Sequence, residues 1–297
     1  MKKNRTILYK KEMQKEDKEL TIDLDKVFKE KSPRLYKFIP RFIIEFIKRL
    51  VHQDDLNDVV ITAEDKTGFD FISHSLNKMQ INTSSVGLEN IPSIGGAIIV
   101  ANHPLGGIDG VAFINEIGKR RKDCHILVND ILMQIKQFDP IFVPVNKHGR
   151  NSRDNIAYID SLYASDKCIV VFPAGLVSRK QGKEILDLEW KKSFISKSLQ
   201  YKRNIIPVHI SGKNSKRFYN IAYIRKMFRI KANIEMLFLA DEMFRQKGNT
   251  IKFTFGKEIL WESLDKQHSK LQWAQKIKTY IYKLKNNKDI EFVDSLK

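Results

Sequence analysis

The sequence predicts an α/β fold in which helices cover a central sheet, preceded by an N-terminal amphipathic helical lobe. After Gly95-Gly96, apolar runs rich in Ile and Val alternate with helical stretches, and continuous runs of this kind are typical of strands covered on both faces. Before that point, an apolar stripe repeats every three to four residues. The 297 residues include 18 Phe and are 42% hydrophobic, which allows a large core and excludes disorder as the main state.

The N-terminal part of the chain is predicted to be a basic arm followed by helices. Residues 1–32 are charged and weakly patterned, so we expect a mobile or loosely docked arm. The next segment, 33–51, predicts an amphipathic helix that Pro40 kinks or divides. Two interpretations stay open for its apolar stripe: packing on the protein's own core, or burial in a lipid interface with Arg and Lys near the headgroups. The stripe consists of Leu35, Phe38, Ile39, Phe42, Ile43, Phe46, Ile47, Leu50 and Val51.

The remaining chain predicts one α/β domain. We place the basic arm and helical lobe at 1–85 and the α/β domain at 86–297. The predicted strands are 97–102, 124–129, 141–146, 168–173, 205–211, 234–240 and 251–256. The predicted helices lie near 109–120, 151–165, 189–202, 216–229 and 265–286.

The charge of +18 is concentrated in one part of the sequence. Residues 145–231 contain 19 Lys or Arg and 6 Asp or Glu, a net charge of +13. Such a segment attracts anions: nucleic acid, an anionic membrane, phosphorylated ligands or an acidic carrier protein. The basic N-terminus has no apolar segment after it, so we expect no secretory signal, a cytosolic location and no membrane-spanning helix. Cys124 and Cys168 lie in apolar runs and are predicted to be buried thiols.

Several common motifs are missing from the sequence. There is no GxSxG, GxGxxG, HExxH or CxxC motif, and the segment from Gly175 to Gly182-Lys183 has six residues between the glycines where a Walker A loop has four. We therefore predict no metal site and no ATP chemistry. Only charge argues for nucleic acid, since no nucleic-acid-binding motif accompanies the basic segment.

A histidine and an aspartate form the strongest candidate for catalysis. His103 directly follows a predicted buried strand, and Asp109 comes six positions later, across Gly106 and Gly107. The glycines allow the chain to fold back, so the carboxylate can reach one imidazole nitrogen and leave the other free as a general base. Loops at the carboxyl ends of strands are also where α/β sheets bind ligands. A metal role is not favoured, because no third ligand is near in sequence.

Four ordered segments resemble the glycerolipid, or lysophospholipid, acyltransferase superfamily: NHPLGGIDG, PIFVPVN, VVFPAG and IIPVHISG. The resemblance is greatest to the bacterial hemolysin-like branch, which includes O-acyltransferases of ornithine and glycine lipids, and it implies a mixed, mainly parallel sheet. Two departures stand out. Five residues separate His103 from Asp109 where the wider superfamily has four, and Ala174 stands where glycerol-phosphate enzymes usually have Glu, which weakens a glycerol-phosphate acceptor.

The resemblance implies a function and a set of site residues. His103 would act as the base and Asp109 would support it, with acyl-acyl carrier protein or acyl-coenzyme A as donor and no cofactor. The expected acceptor is a lyso-ornithine or lyso-glycine lipid at the cytoplasmic face of the inner membrane, where the protein would be peripheral, without nucleic acid as a partner. The alternatives are a lysophospholipid acyltransferase and a non-catalytic basic module. The candidate substrate-binding residues are Gly106, Gly107, Arg150, Phe172, Pro173, Gly175, Arg179 and Lys213, and for Gly175 a simple turn is an open alternative.

Overall fold

The computed structural model describes residues 22–31, 33–128, 135–145, 152–230, 233–287 and 289–292. A seven-stranded sheet lies at the centre of this described part, in the order β1-β9-β8-β2-β5-β3-β4. Strands β8, β2, β5, β3 and β4 run parallel to one another, while β9 and β1 form an edge of opposite direction. The predicted mixed, mainly parallel sheet is thereby confirmed. The sheet strands are β1 Asn82–Val86, β2 Ala97–Ala101, β3 Cys124–Val128, β4 Phe142–Pro144, β5 Cys168–Val171, β8 Ile205–Ile210 and β9 Thr250–Phe255.

Eleven α-helices are described around the sheet, together with a separate antiparallel hairpin of β6 Arg179–Gln181 and β7 Glu184–Leu186. The N-terminal helices are α1 Leu24–Lys31, α2 Pro33–Phe38, α3 Arg41–Leu50, α4 Gln53–Ile61 and α5 Gly68–Lys78. The others are α6 Gly107–Gly118, α7 Ser152–Ala164, α8 Ser193–Tyr201, α9 Lys216–Met227, α10 Leu239–Phe244 and α11 Lys270–Leu284. Among the described residues, no helix has the length and apolar character needed to cross a membrane.

Two apolar clusters hold these layers together. All five residues of β2 are buried, with Ile99 facing one cluster and Ile98 and Val100 facing the other, as the alternation of a strand requires. The first cluster joins β2 to α4, α5 and α6, and the second joins it to α7, α8 and α11. The N-terminal helices α4 and α5 therefore share a core with the sheet.

The structure divides the predicted helix 33–51 at Pro40, as expected from a residue that lacks a backbone N–H. Of the predicted arm, residues 1–21 lie outside the described residues, and Leu24–Lys31 forms α1. Strand β1 was not predicted, because Asn82–Val86 is polar and lies at the sheet edge with alternating exposure. This strand crosses the predicted boundary between residues 85 and 86.

The predicted strand at 234–240 is wrong. Ile234–Phe238 forms a 3₁₀ helix that continues into α10. Glu235 is completely buried within it, next to Arg179 and Arg225, while Ile234 and Leu237 are exposed. A short apolar run does not distinguish a strand from a helix by periodicity alone, and the ion pairs of the buried Glu235 with Arg179 and Arg225 are long-range contacts that a local pattern does not show.

Candidate active site

His103 and Asp109 meet at the carboxyl end of the central strand β2. His103 follows β2 by two residues, and Asp109 lies in the first turn of α6. Gly106 caps that helix with a positive φ of 94°, a backbone conformation that residues other than glycine rarely adopt. The chain can therefore reverse direction within a few residues. The turn brings Nδ1 of His103 to 3.0 Å from Oδ2 of Asp109.

The carboxylate of Asp109 is completely buried. Its Oδ2 also accepts hydrogen bonds from the backbone N–H groups of Leu105, at 2.7 Å, and Gly106, at 3.1 Å. Burial raises the pKa of Asp109, and the hydrogen bonds from His103 and the two backbone groups oppose this increase. Because Oδ2 already accepts two backbone N–H groups, we infer that Nδ1 of His103 carries the proton and that Nε2 is free to accept one.

The ring of His103 lies against Phe172, which follows strand β5. The two rings are stacked, with centroids 4.2 Å apart, and the His103 side chain is 16% exposed. Phe172 therefore limits the rotation of the imidazole while one edge of it still reaches solvent. This contact joins the predicted first and third sequence segments of the site.

The backbone of His103 is held by residues that the sequence did not indicate. Oδ1 of the buried Asp187 accepts the N–H of His103 at 3.1 Å and the hydroxyl of Ser178 at 2.6 Å. The N–H of Ser178 donates to the carbonyl oxygen of His103 at 2.8 Å, and the indole of Trp190 donates to Oδ2 of Asp187 at 2.8 Å. The only sequence signal for Asp187 is an acid between two leucines, in no motif.

The predicted glycines and prolines of the site lie in two adjoining loops. Gly106 caps α6 and Gly107 is its first residue, and Phe172 and the buried Pro173 follow β5. Gly175 has a φ of 67°, and a side chain built there would come within 3.2 Å of Nζ of Lys191. Both the turn role and a contact role of Gly175 are compatible with this position.

The three predicted cationic residues differ in their surroundings. The guanidinium of Arg179 donates to the buried Glu235 at 3.1 Å and to the carbonyl oxygen of Val177, and burial lowers its pKa. Lys213 is exposed in the loop after β8, where the neighbouring Gly212 packs on Leu105 of the His103 loop. Arg150 lies outside the described residues. Of the predicted cations, Lys213 is thus the one that forms no ion pair with a described residue and lies in a loop beside the site.

The two cysteines and the possible metal ligands of the described residues offer no second reactive site. Burial raises the pKa of Cys124 to about 12 and also raises that of Cys168, so neither thiol forms a nucleophilic thiolate near neutral pH. The described residues contain no group of three or more His, Cys, Asp or Glu side chains arranged to bind a metal ion. The His103 and Asp109 pair can therefore serve as a general base, and no nucleophilic thiol accompanies it.

The sequence matches the acyltransferase family over residues 26–291. Two curated relatives, each a lyso-glycine lipid O-acyltransferase, are 44% identical to it. The protein from Phocaeicola vulgatus aligns over 91% of this chain and 97% of its own length, and that from Bacteroides thetaiotaomicron over 91% and 99%. The crystal structure of a 1-acyl-sn-glycerophosphate acyltransferase from Thermotoga maritima aligns at 13% identity with a TM-score of 0.43, over 83% of this chain and 90% of that one.

Proposed function

This chain belongs to the acyltransferase family, and we propose that it transfers a fatty acyl group from an acyl thioester to the hydroxyl group of a lyso-glycine lipid. The observation that carries this proposal is the His103 and Asp109 pair, whose free Nε2 suits the deprotonation of a hydroxyl. The names of the two 44% identical relatives support the glycine-containing acceptor over the lyso-ornithine lipid that the sequence left open.

The proposed reaction is a direct transfer. Nε2 of His103 takes the proton of the acceptor hydroxyl while the oxygen attacks the thioester carbonyl carbon. The tetrahedral intermediate then expels the thiolate, which receives the proton from the imidazolium, so an ester and a free thiol result. The buried carboxylate of Asp109 stabilises the imidazolium, and general-base assistance of this kind contributes roughly 10²–10⁴ in rate. No cofactor takes part in these steps.

The proposed donor is acyl-acyl carrier protein, with acyl-coenzyme A as the alternative. Both donors are anionic, and the segment 145–231 carries a net charge of +13. Lys213 supports this assignment because it is exposed in a loop that packs on the His103 loop. The cationic segment is assigned to the donor, and nucleic acid is not proposed as a partner.

The proposed location is the cytoplasmic face of the inner membrane, where the protein would bind peripherally and meet its amphiphilic acceptor. Support comes from α2 and α3, on which Phe38 is 83% exposed and Phe42 is 70% exposed, with Phe46 also exposed one turn further. Phe42 and Phe46 are four residues apart within α3, so their rings lie on one side of that helix, as in helices that lie in a lipid interface. Arg34, Lys37 and Arg49 are exposed on the same helices.

Two other functions are less well supported. Lysophosphatidic acid as acceptor is disfavoured by Ala174, a buried residue where glycerol-phosphate enzymes usually carry Glu. A non-catalytic basic module would not require a buried carboxylate on a histidine with one free nitrogen. Both alternatives are separated from the proposed function by the products of one incubation.

That experiment supplies purified protein with acyl-acyl carrier protein and a mixture of lyso-glycine lipid, lyso-ornithine lipid and lysophosphatidic acid. Mass spectrometry is expected to detect mainly the diacylated glycine lipid. His103→Ala should reduce its formation by at least about 100-fold, because the general base is lost. The matched control His74→Ala removes an imidazole that bonds only Thr62 on the helical lobe and should leave the rate unchanged. Full activity of His103→Ala would exclude the mechanism, and a different main product would exclude the acceptor.

A further inference from the structure

A second exposed apolar surface lies on the C-terminal half of the chain, on the outer side of α9 and the segment that follows. Tyr223, Ile224 and Met227 are exposed on one face of α9, with Tyr223 and Ile224 one turn before Met227, and Phe228, which directly follows the helix, is 67% exposed. We name this set the α9 surface, and it also includes the exposed residues Ile230, Ile234 and Leu237. Exposed clusters of large apolar side chains on a folded protein mark binding sites more often than chance.

The α9 surface is continuous with the exposed phenylalanines of the N-terminal helices. The 3₁₀ helix Ile234–Phe238 contacts both α9 and α3. Phe42, Ile43 and Phe46 of α3 are exposed, as are Ile234 and Leu237 of the 3₁₀ helix. Elements from distant parts of the sequence thus present one joint apolar area.

This area adjoins the His103 loop. Leu239, the first residue of α10, packs on Gly106: a Cβ built on that glycine would lie 3.1 Å from a methyl carbon of Leu239. Glu235 of the 3₁₀ helix pairs with Arg179, next in sequence to Ser178, which donates to the carbonyl oxygen of His103. The segment that carries Ile234 and Leu237 of the α9 surface therefore also packs on the loop that holds the general base.

Charge identifies the kind of ligand. Helix α9 contains four cationic residues and no acid. Lys226 and, just after the helix, Arg229 are exposed beside the apolar side chains, and Lys216 at its start is also exposed. None of these three forms an ion pair with another described residue. Protein interfaces are depleted in Lys, whereas helices that lie in a lipid interface combine aromatic and aliphatic residues with Lys and Arg.

We propose that the α9 surface inserts into an anionic lipid bilayer together with α2 and α3, and that the acceptor lipid passes from the bilayer to His103 across it. The second half of this statement rests on the proposed function, whereas bilayer insertion is independent of it. The sequence stripe at 33–51 is then only one part of the membrane contact. The other part is formed by α9 and the 3₁₀ helix.

Vesicle flotation tests the insertion. The full chain is mixed with phosphatidylcholine vesicles with or without phosphatidylglycerol, and Met227→Ser/Phe228→Ser is compared with wild type. Each side chain withdrawn from lipid should weaken binding to the anionic vesicles by roughly tenfold. The matched control is Ile94→Ser/Leu260→Ser. These two exposed apolar residues lie next to the amino ends of β2 and β8, whereas His103 and α9 follow the carboxyl ends of the same strands. Unchanged binding of the α9 variant overturns the proposal, and loss of self-association in place of vesicle binding assigns the surface to a second copy and also overturns it.

A labelling experiment keeps the test independent of the folding of the double variant. Both native cysteines are buried, so a single introduced cysteine can be labelled with an environment-sensitive dye. The dye on Met227→Cys should shift to shorter wavelength when anionic vesicles are added, and the dye on Leu260→Cys should not. The absence of a shift at position 227 contradicts insertion.

Acyl-transfer rates distinguish a failure of the bilayer contact from a failure of the proposed function. The Met227→Ser/Phe228→Ser variant should lose rate on vesicle-borne acceptor but stay within about twofold of wild type on a dispersed short-chain acceptor. If wild type inserts but transfers no acyl group to any acceptor, the function is wrong and the bilayer contact stands. If it transfers acyl groups and the variant is equally fast on vesicles, the delivery route is wrong.

Discussion

At the scale of single residues, the position of His103 depends on a carboxylate that its imidazole does not touch. Asp187 is completely buried and accepts hydrogen bonds from the His103 backbone, the Ser178 hydroxyl and the Trp190 indole. A carboxylate bonded by three donors is rigid, because each oxygen would lose a partner if the group rotated. Asp187 is thus a positioning residue, with Asp109 orienting the ring and Asp187 orienting the chain.

Asp187→Asn tests this role. The amide keeps the size of the side chain, but its NH₂ group must face either the indole N–H of Trp190 or the N–H of His103, and either repulsion weakens the group that holds the His103 backbone. We expect kcat to decrease by roughly 10-fold to 100-fold with KM changed less than about threefold, since misplacement of about 1 Å affects the reacting atoms and not acceptor binding. Steady-state kinetics on protein shown to be folded by circular dichroism measure this.

The matched control for Asp187→Asn is Glu189→Gln, which changes an exposed acid two residues further along the chain. Glu189→Gln should leave kcat and KM unchanged. Ser178→Ala, which removes only the hydroxyl donor, should fall between the control and Asp187→Asn in kcat. A loss confined to KM, or one fully explained by a smaller folded fraction, contradicts a positioning role.

The sequence indicated His103 and Asp109 because a short glycine turn joins them, so their contact is local. Asp187 is 84 residues away from His103, and its contact arises only when the β6 and β7 hairpin folds back on the end of β2. No local pattern marks such a partner. Arg179 illustrates the reverse case: the sequence made it a candidate substrate-binding residue, whereas Glu235, 56 residues away, pairs with its guanidinium.

At the scale of elements, the sequence predicted the buried strands and missed the partly exposed edge strand β1. The strands β2, β5 and β8 are covered on both faces, so each is a run that is apolar, apart from His209 in β8, and that the sequence displays directly. Strand β1 pairs only with β9 and alternates in exposure, so its polar residues gave no signal. The segment 234–240 has apolar residues on its exposed side as well, among them Ile234 and Leu237. Its hydrophobicity pattern alone therefore does not distinguish it from a strand.

The packing of strand β8 against helix α11 predicts a pH-dependent stability. His209 of β8 is buried beside Tyr282 of α11, and burial together with the nearby Lys285 lowers its pKa from 6.5 to about 4. Between pH 6.5 and about 4, His209 is protonated in the unfolded chain and neutral in the folded chain. The contribution of His209 to the free energy of unfolding should therefore be constant above pH 6.5 and decrease by about 3 kcal/mol as the pH falls to about 4.

Urea unfolding at several pH values measures this decrease. His209→Gln should make the decrease smaller between pH 6.5 and 4, because its side chain does not titrate. Part of the dependence should remain, since burial also lowers the pKa of His125. Equal slopes for the variant and wild type would contradict the assignment to the β8 and α11 contact.

At the scale of the whole molecule, the fold redistributes the cationic excess that is visible in the sequence. Several cations of the segment 145–231 pair with acids elsewhere: Arg179 and Arg225 with Glu235, and Arg217 with Asp241. Others, including Lys213, are exposed without an ion pair to a described residue. The field that an acidic carrier protein would meet at the His103 edge therefore comes from fewer groups than the sequence suggests, and Lys213 is foremost among them.

Ionic strength should consequently govern the use of acyl-acyl carrier protein. Raising the salt concentration from about 0.01 to 0.1 M shortens the Debye length from about 30 to 10 Å, so steering of an acidic carrier weakens. With a dispersed short-chain acceptor, which removes membrane binding from the assay, KM for acyl-acyl carrier protein should rise several-fold while kcat changes little. Lys213→Ala should raise the same KM at low salt and reduce its salt dependence, because one cation at the docking edge is lost.

The control for Lys213→Ala is Lys122→Ala, which removes an exposed cation from the turn before β3, at the amino edge of the sheet. Its overall loss of charge equals that of Lys213→Ala, so a difference between the two variants isolates position from net charge. A KM that is independent of salt, or an equal rise in both variants, would show that the carrier is not guided to the carboxyl edge by Lys213. The +13 segment would then act through total charge and not through the arrangement that the fold gives it.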